Sequence, residues 1–298
     1  MGSKMKLLFF IGKGGVGKST VSAITSVKLS LLKKRTLLLS IDPAHNLMDI
    51  FKIKDVNDYL TIKEAEIDKW TSRYIKKIKM DIKCQYKHLS SINIEHFIDI
   101  IEYSPGMEEY SIFRYLYETV KLSKNYDYIV VDTPPTGITL KIITFAEISV
   151  RWIKKLMEIR EKILSKKVYI KNAIGKKDEY GYNKEEDKIY LKLREMLEDN
   201  IMMLDLIRDN SFIIPVLNED KLSFLETKKI IEYLNKFSIN IDFLILNKFT
   251  GNRELLDNFY REFKKDIFCF DLKELDFYLN INNFKYLSDE YIKKYLIQ

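Results

Sequence analysis

The stretch LLFFIGKGGVGKST, Leu7 to Thr20, decides how the rest of the chain is read. An unbroken apolar run, Leu7 to Ile11, reads as a buried strand, and VSAITSVKLSLL from Val21 onward reads as a helix. Between them, Gly12 and Gly17-Lys18-Ser19 fit the spacing GxxxxGK[ST]. The spacing has a chemical reason. Glycines let backbone N–H groups curl around phosphates, a lysine at the end of the loop reaches the outer phosphate oxygens, and the adjoining hydroxyl is placed for magnesium. The helix that follows adds the positive end of its dipole. Gly12, Gly14, Gly15, Val16, Gly17, Lys18, Ser19 and Thr20 are therefore the candidate phosphate cradle, with Ser19 also a candidate metal ligand. Lys13, one residue into the loop, is a cation that the cradle alone does not require.

Outward from that loop, further short apolar runs read as strands: Thr36 to Ile41, Tyr128 to Val131, Phe212 to Leu217 and Phe243 to Leu246. YIKKIKMDI, Tyr74 to Ile82, alternates and reads as a weaker edge strand. Helix-period segments such as LETKKIIEYLNKF lie between the runs. The expected fold is α/β, a P-loop domain with a mostly parallel sheet covered by helices on both faces. It is expected to form one domain over 5–298. A helical subdomain is expected from insertions at about 55–124 and 147–210, the second read as two amphipathic helices around the charged loop KKDEYGYNKEEDK.

Composition sets bounds. The chain has 298 residues, 46% hydrophobic and 31% charged, which is ample for a core. A net charge of +7 over that length is modest and permits an anionic ligand, while nucleic acid is not expected. The two cysteines, Cys84 and Cys269, form no CxxC pair and no disulfide framework. The opening MGSK is expected to be an expression scar ahead of Met5. No apolar window reaches membrane-spanning length, and a cytoplasmic location is expected.

With its extra lysine the loop reads KGGVGKST, which resembles the deviant phosphate loop of the MinD and ParA partition ATPases, nitrogenase iron protein and the ArsA and tail-anchored-protein targeting ATPases. IDPAHNLMDIF, Ile41 to Phe51, resembles the first switch of the ArsA and targeting branch. VVDTPPTGITL, Val130 to Leu140, resembles its second switch, and SPGMEEY, Ser104 to Tyr110, a further stretch of the same branch. The resemblance implies a homodimer that uses ATP and Mg2+. Within it, Lys13 would act at the phosphates across the subunit contact, Asp42 would orient the attacking water, and Asp132 would hold magnesium through water. PVLNEDKLSFLETKKIIEYL and IDFLILNKF extend the likeness toward the C-terminus, with Asn247 where the family's asparagine contacts the base. Thr250 stands where guanine readers carry an aspartate, so adenine is expected.

The resemblance implies an ATPase, a targeting factor whose groove binds hydrophobic, tail-anchor-like segments of membrane-protein clients, and leaves room for a membrane receptor. Two stripes could line the groove: Ile148, Trp152, Leu156, Ile159 and Ile163, then Ile189, Leu193, Leu197, Ile201 and Leu204. Spacing alone favours ordinary core packing, and it is the resemblance that points to a groove. The rival from the positioning class is a MinD- or ParA-like ATPase at a membrane surface, using Leu287, Tyr291, Ile292 and Tyr295 as a C-terminal apolar face. An arsenite-pump ATPase is disfavoured because Ile138 stands in place of a family histidine and because three clustered thiolates are lacking.

Overall fold

The computed structural model describes residues 5–42, 47, 57–85, 106–173, 184–270 and 289–297, with backbone alone over 81–85 and 171–173. In chain order the strands are β1 (Lys6–Ile11), β2 (Thr36–Ser40), β3 (Leu60–Glu64), β4 (Tyr128–Asp132), β5 (Ser211–Leu217), β6 (Phe243–Asn247) and β7 (Asp266–Phe270). The helices are α1 (Lys18–Leu31), α2 (Ile67–Gln85), α3 (Met107–Leu122), α4 (Thr136–Ala173), α5 (Lys188–Asp209), α6 (Lys221–Asn235) and α7 (Arg253–Phe263). The seven strands form one sheet in the order β3-β2-β4-β1-β5-β6-β7, and every pairing is parallel.

Unbroken apolar strands follow from that geometry, because helices cover both faces of a parallel sheet. β2, β4 and β6 are buried along their whole length. Pro215, a residue that cannot donate to a ladder, falls at a changeover. Pairing with β1 ends at Ile11↔Pro215, and pairing with β6 begins at Val216↔Ile245. Helix α1 is buried almost all round although it carries several hydroxyls. Ser22, Thr25, Ser26 and Ser30 satisfy theirs by donating to carbonyls one turn back.

Two expectations about elements fail. Tyr74 to Ile82 belongs to helix α2, not to an edge strand. Its apolar positions Tyr74, Ile75, Ile78 and Ile82 fit a 3.6-residue period as well as they fit alternation. The edge strand is β3 instead, within a stretch expected to be helical. Its residues LTIKE alternate between half-buried and exposed, as an edge position dictates.

The chain divides into two compact units, 1–143 with 210–298, and 144–209. The first holds the sheet. At its far end a short π-helical turn, Ile292–Leu296, packs into the core. The Tyr291 hydroxyl lies 2.8 Å from that of Thr25. Lys6 Nζ and the Tyr128 hydroxyl both donate to the Leu296 carbonyl, at 2.9 and 2.5 Å. Tyr291 and Ile292 are fully buried, so the C-terminal face that a surface-bound helix needs is occupied by the protein's own core. Leu287 lies outside the described residues.

The second unit is helical. Among its described residues Ala146, Val150, Ile153, Tyr190, Met203, Leu204 and Ile207 are buried apolar side chains. Asp187 precedes α5 and accepts from the Tyr190 amide at 2.8 Å, while the Arg160 guanidinium grips the same carboxylate through two bonds of 2.9 and 2.7 Å. Glu147 takes Arg151 and Arg208, each at 2.7 Å. Most of the charged loop between α4 and α5 lies outside the described residues.

Candidate nucleotide-binding site

Parallel strands all present their C-terminal ends on one side, and the register brings the candidate residues together there. Phe10 of β1 and Ser40 of β2 both pair with Asp132 of β4. Just beyond, the Ile41 amide donates to the Asp132 carbonyl at 3.0 Å, which sets Asp42 beside Asp132. Thr133 closes the gap on the other flank by donating to the Phe10 carbonyl at 2.5 Å. The loop Gly12 to Gly17 leaves β1 at the same edge. Of the first switch only Asp42 and Leu47 beyond Ile41 are described, and Ser104 and Pro105 also fall outside the described residues.

Two glycines are demanded by space. A Cβ at Gly12 would stand 2.2 Å from the Val216 carbonyl oxygen, and one at Gly17 would stand 2.3 Å from Asn247 Nδ2. Gly17 also has φ 93°, in the region L side chains avoid, and opens α1 without a side-chain cap. No acidic residue occupies the helix's first turn. The α1 N-terminus therefore offers uncapped N–H groups and no competing carboxylate, which suits a phosphate. Gly14 and Gly15 are exposed at the crest of the loop, Val16 is buried below it, and Ser19 and Thr20 are half-buried.

Lys18 is only 9% exposed. Burial lowers its pKa, while the charges of Asp132, Asp42 and Glu226 pull it back up. Asp132 is 2% exposed, and its Oδ1 has no hydrogen-bond partner. Burial pushes its carboxyl up to about 6; hydrogen bonding from Ser19 opposes the rise, Asp42 adds to it, and Lys18 and Ser40 oppose it. A buried acid with an orphaned oxygen beside a serine hydroxyl fits a magnesium ion held directly or through water. Bound there, magnesium would supply the positive charge that keeps Asp132 ionised. Lys13 stands apart from this cluster, with its ammonium 3.9 Å from Asp220 Oδ1 and both side chains partly exposed. Asp220 is at the same time the N-cap of α6, accepting from the Ser223 amide at 2.8 Å and its hydroxyl at 2.7 Å.

Asn247 ends β6 and is 1% exposed. The sequence reading placed it at the base; here its amide donates to the Val16 carbonyl at 2.7 Å, so it touches the phosphate loop itself. One further residue, Glu226, carries no signal in the sequence. Glu226 of α6 projects its charge onto Lys18 and accepts from the Thr136 hydroxyl at 2.6 Å. Thr136 is the first residue of α4, the helix that continues into the second unit. Thr136 falls within the second-switch stretch of the sequence, whereas Glu226 stands in no spacing that signals phosphate chemistry and only the fold brings it to the site.

A sheet, a loop and a buried lysine arranged in this way are those of a P-loop ATPase. Which lineage follows from comparison: residues 5–268 match the family described as anion-transporting ATPase, and the chain belongs to that family. It is 35% identical over 250 residues to the "Putative arsenical pump-driving ATPase 2" of Aquifex aeolicus (strain VF5), covering 82% of this chain and 80% of the relative. It is 31% identical over 264 residues to a protein named likewise as a pump-driving ATPase in Chlorobaculum tepidum, covering 84% of this chain but 62% of that one. ATPase GET3A of Arabidopsis thaliana is 28% identical over 249 residues, covering 82% of this chain and 67% of the relative. The relatives' names thus divide between arsenical-pump and GET3-type ATPases. Among the described residues no helix is long and apolar enough to cross a membrane.

Proposed function

We propose that this ATPase couples magnesium-dependent ATP hydrolysis to the capture of hydrophobic, tail-anchor-like segments of membrane proteins, acting as a homodimer. The observation that carries the reading is the outer face of α4. Ile148, Trp152, Ile159 and Ile163 are 50%, 64%, 47% and 42% exposed, and they recur at helical spacing. A continuous apolar stripe of this kind marks an interaction surface. On α5, Ile189, Ile201 and Met202 are exposed, whereas Leu204 is 6% exposed and belongs to the core. The client surface in this reading is the α4 stripe and the exposed side of α5, within the insertion at about 147–210.

In this reading Lys18 and the loop amides bind the β and γ phosphates, Ser19 and Asp132 hold magnesium, and Asp42 orients the attacking water. Lys13 leaves Asp220 to reach phosphate across the dimer, where a second ammonium stabilises the charge that spreads over the γ oxygens. Nucleotide state then reaches the helical unit through α4, whose first residue lies against Glu226. The test is capture. The ATP-bound chain, held in that state by Asp42→Asn, should retain a transmembrane-like helix of about 20 apolar residues that the nucleotide-free chain releases. Equal capture in both states would remove nucleotide control from the reading.

The names of two relatives favour a second reading, stimulation by arsenite. Ligand count weighs against it: a soft-metalloid cage needs three clustered sulfurs, and the chain has two cysteines, Cys84 and Cys269, far apart in sequence. Arsenite should leave the ATPase rate unchanged; a several-fold rise would restore the pump reading.

A further inference from the structure

β1 and β6 are not neighbours in the sheet, since β5 lies between them. Asn247 nevertheless reaches over the end of β5 to the phosphate loop, donating from Nδ2 to the Val16 carbonyl. Its Oδ1 is buried and has no hydrogen-bond partner. The peptide that joins Val16 to Gly17 is trans and planar, so its N–H and its carbonyl point in opposite directions. Holding the Val16 oxygen against Asn247 therefore turns the Gly17 N–H the other way, away from Asn247. That peptide has little else to hold it, because glycine adopts either sign of φ at low cost. A flip about the Val16–Gly17 bond would exchange a donor for a carbonyl oxygen facing the phosphates. The same contact explains the absence of a side chain at position 17, where a Cβ would collide with Nδ2.

We propose that Asn247 is a positioning residue for the phosphate loop. Its amide locks the Val16–Gly17 peptide in the anion-accepting orientation, and the free Oδ1 leaves the same side chain available to a donor on the bound base. This is separate from a base contact: the clamp acts on a ligand with no base at all. It rests on the phosphate-loop reading.

The experiment uses magnesium tripolyphosphate as a base-free probe beside magnesium ATP, with both affinities measured by calorimetry on the full chain. Asn247→Ala removes the clamp. Asn247→Asp keeps the shape and an acceptor but sets a carboxylate oxygen against the Val16 carbonyl. Both substitutions should weaken tripolyphosphate at least tenfold, and ATP at least as much, over and above whatever a change at this buried position costs in melting temperature. Unchanged tripolyphosphate affinity with weakened ATP reduces Asn247 to a base contact and overturns the clamp. A lowered melting temperature with both affinities intact overturns it as well, leaving a packing role. If both variants fail to fold, the unaltered chain decides. Tripolyphosphate should then slow backbone hydrogen exchange at Asn247 and Lys248 as well as in the loop, and protection confined to residues 12–20 would count against the proposal. Failure of the unaltered chain to bind either ligand is a different result, which removes the phosphate-loop reading itself.

Discussion

In the sheet-bearing unit the apolar side chains of β1, β4 and β6 are buried from both sides, whereas in the helical unit α4 turns Ile148, Trp152, Ile159 and Ile163 outward. The two regions draw on the same kinds of residue, but their packing differs. A parallel sheet between helix layers leaves no apolar position open, so a change there is felt as lost stability. A helix with one buried stripe and one exposed apolar stripe has only part of its surface committed to folding. The rest is free for a partner. Stability should therefore map to the first region and capture to the second, and four measurements break or sharpen that division.

The largest effect is expected at the sheet edge. Asp42→Asn should lower kcat for ATP by at least about a hundredfold, while nucleotide affinity stays within a few-fold, if the carboxylate addresses water and not phosphate as proposed. Steady-state turnover set beside equilibrium binding checks both halves. Hydrolysis at the parent rate would take Asp42 out of the mechanism.

Next come paired charges in the helical unit. Asp in place of Ile153 or Leu204, both buried, should destabilise by several kcal/mol. Asp in place of Trp152 or Ile159 should leave the melting temperature nearly unchanged and lower capture of an apolar helix about tenfold or more. Unfolding of the Trp152 and Ile159 variants would show the outer stripe to be core, and the contrast between the units would collapse.

Asp132 provides a third test, through pH. Its ordinary value of 3.8 rises to about 6 in the fold. Between those values the folded chain holds a proton that the unfolded chain has released, so this group's contribution to stability is present at low pH and lost as pH rises through about 6. Asp132→Asn, neutral throughout, should stabilise the nucleotide-free chain near neutral pH by up to about 3 kcal/mol. It should also flatten that part of the pH profile and abolish magnesium-dependent turnover. A variant less stable than the parent at neutral pH would mean that the charged carboxylate is better satisfied than its burial implies.

The smallest effect belongs to Asp220. Asp220→Ala removes the α6 cap and should cost about 1 kcal/mol. The Lys13 pair is partly exposed and should add little to that loss. A much larger loss in thermal unfolding would identify the pair as a structural tether of the loop.

The strands that build the site were readable because burial on both faces forces unbroken apolar runs, and the loop because phosphate imposes a spacing. β3 was not, since an edge strand alternates with charged residues. β7, DIFCF at Asp266–Phe270, is the other edge strand and only partly buried, so it lacks the unbroken apolar run as well. At the site, Gly12 to Thr20, Asp42 and Asp132 could be named from local pattern. The contacts of Asn247, Asp220 and Glu226 could not, because each joins segments far apart in sequence. The stripe on α4 was visible as periodicity, but a 3.6-residue repeat states which residues share a face, not which face meets solvent.

The turn at Ile292–Leu296 bears on how the protein is made. Leu296 receives Lys6 and Tyr128, and Tyr291 lies against the rings of Phe243, Phe268 and Phe270. A ribosome delivers the first strand long before the turn that covers it. Until Tyr291 clears the exit tunnel, those aromatic rings have no lid, and the nascent sheet presents an apolar flank of its own. A factor proposed to shield other proteins' hydrophobic segments thus passes through an interval of synthesis in which its own sheet needs shielding.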